Sequence, residues 1–132
     1  VVTARDRCDM TVDRIRCVRD ANFAYIRNFM PDRPYTQFNR YVQTQYPTLV
    51  AMKELHAAGK LKGAELLFMA ERKPDVEFYD MKKDPHEIHN LASDRAHQER
   101  IRSYAGILDR WIEETRDQGR IAEPPAAYAD QM

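Results

Sequence analysis

Charged residues and a thiol crowd the start of the chain, in the run Arg5-Asp6-Arg7-Cys8-Asp9. Planar guanidinium groups bind sulfate, carboxylate or phosphate through paired N–H donors, so this run predicts recognition of an anion. Residues 1–40 hold eight arginines against five aspartates, a basic excess of three. The alternative is a set of arginine–aspartate pairs that neutralise one another. Residue types alone leave both interpretations open.

The cysteines and histidines do not form a catalytic motif. A nucleophilic cysteine needs a nearby base and a lowered pKa, and no histidine lies close in sequence to Cys8 or Cys17. His86 and His89 are three residues apart, whereas the helix of a zinc protease needs histidines four residues apart. We therefore interpret the cysteines as packing residues and the histidines as structural, and we predict neither a catalytic residue nor a metal ligand.

The first third of the chain predicts strands that would position the arginine-rich run. Residues 14–20 alternate polar and apolar side chains, and residues 23–29 are rich in aromatic and β-branched side chains. Asp20-Ala21-Asn22 between them is typical of a turn. A β-hairpin follows, and Pro31 and Pro34 end it because proline cannot continue a sheet ladder.

The remainder predicts short helices, one more strand and a long helix. A helix starts at Pro47 and stops at Gly59, and a second short helix covers 61–69. Residues 76–81 predict a third strand. The long helix begins at Ser93 or Asp94 and ends at Gly119. Its apolar positions recur at spacings of three and four and define one face: Ile101, Tyr104, Ala105, Leu108, Trp111, Ile112 and Thr115.

These elements predict an α+β fold, in which a small antiparallel sheet packs on one long C-terminal helix. A single helix covers one sheet face, so the other face needs a partner. We therefore expect the domain to dock against something larger. Residues 120–132 contain Pro124-Pro125 and predict a surface tail. The net charge is zero, which argues against a nucleic-acid or membrane-surface binder. No apolar run reaches the roughly 20 residues of a membrane helix.

Three stretches together resemble the C-terminal subdomain of the sulfatase family, within the alkaline-phosphatase-like superfamily. They are residues 12–29, 77–92 and 108–115, and the run from Phe78 to Ala92 (FYDMKKDPHEIHNLA) is the most specific. Tyr-Pro-Thr at 46–48 and Arg-Asn-Phe-Met-Pro at 27–31 look closest to the branch that contains heparan N-sulfatase. The resemblance implies about four strands and covers the chain from about Ala4 to Gly119, which assigns residues 1–119 to the subdomain and 120–132 to the tail.

The resemblance also implies hydrolysis of a sulfate ester or sulfamate on a sulfated glycan. The family's nucleophile is a formylglycine made within Cys/Ser-x-Pro/Ala-x-Arg, beside a calcium ion, and neither cysteine here lies in that motif. Both cofactors are therefore expected in an N-terminal catalytic domain of the same polypeptide, and this chain alone is expected to be inactive. Family members are usually exported to the periplasm or outside the cell.

The first loop of this subdomain helps to shape the substrate pocket in the family. By this resemblance Arg5, Arg7 and Asp9 are candidate substrate-binding residues. Phe78–Ala92 mainly builds a strand and turn, in which Asp80, Asp84 and Asn90 are expected to cap backbone groups. The alternative function is a stand-alone module that binds anionic carbohydrate, and a related phosphoesterase or phosphonate hydrolase is a further possibility.

Overall fold

A four-stranded antiparallel sheet forms one layer of the molecule. The computed structural model describes residues 1–8, 11–124 and 126. The strands follow one another across the sheet in chain order. They are β1 (Val2–Cys8), β2 (Thr11–Arg19), β3 (Phe23–Asn28) and β4 (Val76–Asp80). The predicted α+β class and the hairpin, here β2 and β3, are confirmed.

The helices lie in the β3–β4 connection and after β4. The connection carries α1 (Arg40–Gln45), α2 (Pro47–Ala57) and α3 (Ala64–Phe68). After β4, a 3₁₀ turn over Arg95–His97 leads into the long helix α4 (Gln98–Thr115). Among the described residues, no helix is both long and apolar enough to cross a membrane.

The core lies between α4 and one face of the sheet. Phe78 of β4 is fully buried at its centre, and its ring stacks on Phe23 and meets Tyr104 edge-on at 5.6 Å. The sheet contributes Val18 and Tyr25, and the helix contributes Ile101, Tyr104, Leu108 and Ile112. The periodicity of three and four therefore located the buried face of α4, although Thr115 at its end is exposed.

Short polar side chains fix the turn of the hairpin and the chain after β4. The Asp20 carboxylate accepts hydrogen bonds from the N–H groups of Asn22 and Phe23. Asp84 accepts from the N–H groups of Ile88 and His89, and these bonds hold the pKa of its carboxyl below the usual range. Asn90 Oδ1 accepts from the N–H groups of Phe78 and Ala92. The predicted capping by Asp84 and Asn90 is confirmed.

The ends of the long helix differ from the prediction. Asp94 caps the 3₁₀ turn by accepting from the N–H of Ala96, so α4 itself starts only at Gln98. The helix stops at Thr115 because Arg116 adopts the left-handed conformation, with φ of 54°. The prediction that Gly119 ends the helix is wrong. Gly119 is required for a different contact, with Arg16.

The strand β2 turns an unexpected face toward α4. Alternation in 14–20 placed Ile15 and Cys17 as the apolar side, yet Arg16 and Val18 are the residues buried on the helix side. Ile15 and Cys17 are only half-buried, on the opposite face of the sheet. A buried arginine thus occupies a position that alternation alone would give to solvent.

Candidate anion-binding site

The arginine-rich run forms the edge strand β1. Arg5 is exposed and lies opposite Ile15 in the β1–β2 ladder, and Arg7 is half-buried opposite Val12. Arg7 pairs with Glu123 at 3.9 Å, whereas Arg5 forms no ion pair with any described carboxylate. The third candidate, Asp9, lies outside the described residues. The structure therefore leaves Arg5 as the most accessible cationic group of the run.

A register shift separates the two arginines. Between the Arg5–Ile15 and Arg7–Val12 pairs, β1 advances by two residues and β2 by three, so β2 carries the extra residue. Such a bulge bends the strand and re-aims the side chains beside it. The edge strand is thereby distorted at the position of the candidate site.

The buried side chain of Arg16 binds this distorted segment of β1. Its side chain is 1% exposed, and its Nη1 donates to the carbonyl oxygen of Arg5 at 3.2 Å. It pairs with Asp6 at 2.8 Å and grips Asp117 with Nε at 3.0 Å and Nη2 at 2.8 Å. Burial alone would lower the pKa of Arg16, but the hydrogen bonds to Asp117 and Asp6 outweigh burial and raise it.

Gly119 leaves room for the Arg16 guanidinium. A Cβ atom at position 119 would lie 2.1 Å from Nη2 of Arg16, closer than any real contact. The Gly119 N–H also donates to Asp117 Oδ2 at 3.1 Å. The chain after α4 therefore closes over Arg16 and connects the end of the helix to the edge strand.

A second polar cluster lies on the sheet face opposite α4. Glu77 is 5% exposed, and its carboxylate accepts from Asn28 Nδ2 at 2.6 Å, Tyr35 Oη at 2.9 Å and Tyr79 Oη at 2.6 Å. Burial, together with the charge of Glu77 and the hydrogen bond to it, raises the pKa of both tyrosines. This face is therefore built around a buried carboxylate with neutral donors.

Beside Glu77, Lys73 and Asp13 form a buried ion pair. The Lys73 ammonium contacts Asp13 Oδ2, and the two side chains are 0% and 3% exposed. The other Asp13 oxygen accepts from the N–H of Arg14 at 2.9 Å. The pair joins β2 to the segment that enters β4, which are 60 residues apart in sequence.

The thiols and histidines show no catalytic arrangement within the described residues. Cys8 is exposed, Cys17 is half-buried, and both are free thiols. Burial raises the pKa of the Cys17 thiol, which is the opposite of what a nucleophile needs. Across the described chain, no three His, Cys, Asp or Glu side chains meet as metal ligands would. The described residues therefore assemble neither the calcium ligands nor the formylglycine site that the resemblance implies for an N-terminal catalytic domain.

Sequence comparison relates the chain to a known protein. The chain is similar to a sulfatase, which supports a sulfatase-related domain. The relative is the ulvan-active sulfatase of Formosa agariphila, 36% identical over 124 residues that cover 91% of this chain. The chain spans about a fifth of that relative's length, since the match covers 20% of it. No protein-family model matches the chain.

Proposed function

We propose that this chain is the C-terminal subdomain of a sulfatase-type hydrolase, which completes the enzyme's fold and lines its substrate cleft. The nucleophile and the calcium ion would belong to an N-terminal catalytic domain of the same polypeptide, and the substrate would be a sulfated glycan. Similarity over 91% of the chain to only 20% of a sulfatase supports this assignment. Export from the cell, and a place in the heparan N-sulfatase branch, stay predictions.

The observation that carries the proposal is an apolar surface on the β3–β4 connection. We call it the docking surface, and its members are exposed by 41–60%: Phe38, Tyr41, Tyr46, Val50 and Leu55. None of the residues of α1 or α2, all of them described, is buried. Several large apolar side chains exposed along one segment indicate a surface that is covered by a partner. The catalytic domain is the partner that the sulfatase similarity supplies.

Anchoring of the connection makes this surface ready for docking. Asn39 is buried, donates through Nδ2 to Thr11 Oγ1 at 3.2 Å, and caps α1 by accepting from the N–H of Val42. Thr11 in turn donates to the carbonyl oxygen of Phe38 at 3.3 Å. The apolar side chains are thus presented from a segment whose start is fixed to β2.

Sequencing the coding DNA upstream of Val1, and expressing the whole reading frame, tests the proposal. We expect a continuous frame with a Cys/Ser-x-Pro/Ala-x-Arg motif and an enzyme that releases sulfate from a sulfated glycan. Comparison of O-sulfated ulvan oligosaccharides with N-sulfated heparin oligosaccharides separates ester from sulfamate hydrolysis. A start codon directly before Val1, or a whole protein that releases no sulfate from either, would contradict the proposal.

Leu55→Ser tests the docking surface. In the whole enzyme, we expect this change to lower the free energy of unfolding by about 2 kcal/mol, because a docked leucine side chain is lost from an apolar contact. In the isolated chain, the change should stay within about 0.5 kcal/mol, because Leu55 is already 42% exposed. Urea unfolding of both proteins measures the difference.

Ile107→Ser is the matched control for Leu55→Ser. Ile107 is 43% exposed, close to the 42% of Leu55, but it lies on α4, away from the docking surface. The Ile107→Ser substitution should leave the free energy of unfolding of both proteins unchanged. Equal effects of the two substitutions in the whole enzyme would show that α2 does not dock.

Arg5→Ala tests the substrate contact in the whole enzyme. Arg5 is exposed and forms no ion pair with a described carboxylate, so its guanidinium is available to an anionic sugar substituent. Loss of one charged hydrogen bond lowers kcat/KM by about 10- to 100-fold. Arg102→Ala on α4, equally an exposed arginine, should leave kcat/KM unchanged. An unchanged kcat/KM in Arg5→Ala would show that Arg5 does not contact the substrate.

The same exposed arginine favours the second candidate function, a stand-alone module for anionic carbohydrate. That function requires the isolated chain to bind a sulfated glycan, with an affinity that falls as salt is added. Titration of the isolated chain with heparin at two salt concentrations decides this. Salt-sensitive binding, combined with a start codon before Val1, would replace the enzyme proposal with this one.

A further inference from the structure

A cavity of about 580 Å³ opens on the sheet face opposite α4. Its walls are mostly apolar, with Ile15 and Ile26 from the sheet, Leu67 and Phe68 from α3, and Ile88 from the turn after β4. Leu67 and Phe68 are about half exposed, at 55% and 46%, so the cavity is accessible from solvent. Its size and lining are typical of a small-molecule site.

Two buried acceptors line this cavity. Glu77 receives three hydrogen bonds, all of them from neutral donors, and forms no ion pair with a described lysine or arginine. An ionised carboxylate has about four acceptor positions, so one position and the negative charge are left uncompensated. Lys73 also lines the cavity, but its ammonium is committed to Asp13.

Asn28 supplies the second acceptor. The residue is 4% exposed, and its Nδ2 donates to Pro74 O at 2.7 Å and to Glu77 Oε1 at 2.6 Å. Two acceptors on one atom fix the orientation of the amide, which leaves Oδ1 as the acceptor end. Oδ1 has no hydrogen-bond partner among the described residues. Buried polar atoms are nearly always paired, so the unpaired Oδ1 of this cavity-lining residue indicates a missing donor.

The remaining polar groups around the cavity are already engaged or exposed. Glu87 pairs with Arg19 at 3.5 Å, and the Asn90 side chain is bonded to backbone groups. Arg72 and His86 are exposed. The unmet requirements in the buried part are therefore a positive charge and an N–H donor, next to apolar walls.

We propose that this cavity binds a primary ammonium group carried on an apolar stem, through Glu77 and Asn28. The ammonium supplies the charge that Glu77 lacks and the N–H donor that Asn28 Oδ1 lacks, and the stem packs against Ile15, Ile26 and Leu67. A small free amine and a lysine side chain share this chemistry. The inference does not rest on the sulfatase proposal, because it uses only the cavity-lining residues of this chain.

Titration of the ¹⁵N-labelled chain by NMR tests the site, with benzylammonium as the free amine and Nα-acetyl-lysine methylamide as the lysine side chain. We expect amide shifts centred on Ile26 and Ile88 with at least one probe, and the tighter probe identifies the source. Benzyl alcohol, the neutral isostere, should bind about tenfold more weakly because it lacks the charge. Glu77→Gln should weaken ammonium binding by a similar factor.

A second variant protects the test against misfolding of Glu77→Gln. Leu67→Trp narrows the mouth without touching the Glu77 hydrogen bonds and should abolish binding, while Ile107→Trp on α4 should leave it intact. The proposal is overturned if neither ammonium probe shifts the cavity amides. It is equally overturned if benzyl alcohol binds as tightly as benzylammonium, or if Leu67→Trp binds like the parent chain.

Discussion

Asp117→Ala will lower the free energy of unfolding by about 3 kcal/mol, because it leaves the Arg16 guanidinium buried without its bidentate partner. Arg16 is 1% exposed and cannot recover water in exchange, and Asp6 is the single described carboxylate left to it. Urea unfolding at pH 7 measures the loss. The contact ties β2 to the chain after α4, and the same guanidinium holds β1 through Arg5 and Asp6, so the edge strand should lose its hydrogen-exchange protection first.

Asp109→Ala is the matched control for Asp117→Ala. Asp109 also accepts from an arginine of the sheet, Arg27, at 2.6 Å, but its side chain is 58% exposed. An exposed pair is worth at most about 1 kcal/mol, so the loss should be small. Equal losses in the two variants would show that burial of Arg16 does not set the strength of its ion pair.

The pH dependence gives an independent check on Asp117. Burial raises the pKa of this carboxyl, but the Arg16 hydrogen bond and the Gly119 N–H outweigh burial and hold the pKa below its usual range. A lowered folded-state pKa contributes stability that is present above the unfolded value of about 3.9 and is lost as pH falls through the folded value. The difference between the parent chain and Asp117→Ala should therefore shrink below pH 4.

The sequence was sufficient for the elements whose signal is local. Hairpin residues, turn formers such as Asp20, the caps at Asp84 and Asn90, and the buried face of α4 all follow from spacings of a few residues. The predicted helix stop at Gly119 was wrong, because this glycine lies in a turn beyond the helix end, where its lack of a side chain leaves room for Arg16. Arg116, a residue without a local signal for this role, takes the left-handed position instead.

The polar clusters could not be predicted, since their partners are distant in sequence. Arg16 and Asp117 are 101 residues apart in sequence, and the alternation in β2 predicted that Arg16 is exposed to solvent. The residues around Glu77 predicted only a strand. Its hydrogen-bond partner Asn28 is 49 residues away in sequence. For the candidate site, residue types located the arginine-rich run, while the bulge and the anchoring of Arg5 by Arg16 needed the structure.

Lys73→Met will lower the free energy of unfolding by about 3–5 kcal/mol, because Asp13 then keeps a buried charge without a partner. Both side chains are at most 3% exposed, so neither can turn to solvent. The effect should exceed that of any exposed ion pair in the described chain, including Arg27 with Asp109. Urea unfolding of the single variant at pH 7 provides the measurement.

The double variant Asp13→Leu/Lys73→Met separates ion pairing from packing. Removing both charges replaces a desolvated pair by apolar contacts of similar volume, which is often neutral or stabilising. We therefore expect the double variant to recover most of the stability that Lys73→Met loses. If the double variant is as unstable as the single one, the Lys73 stem and the Asp13 bond to the Arg14 N–H, rather than the charges, hold β2 to the entrance of β4. Recovery would instead show that the unpaired charge is what destabilises the single variant.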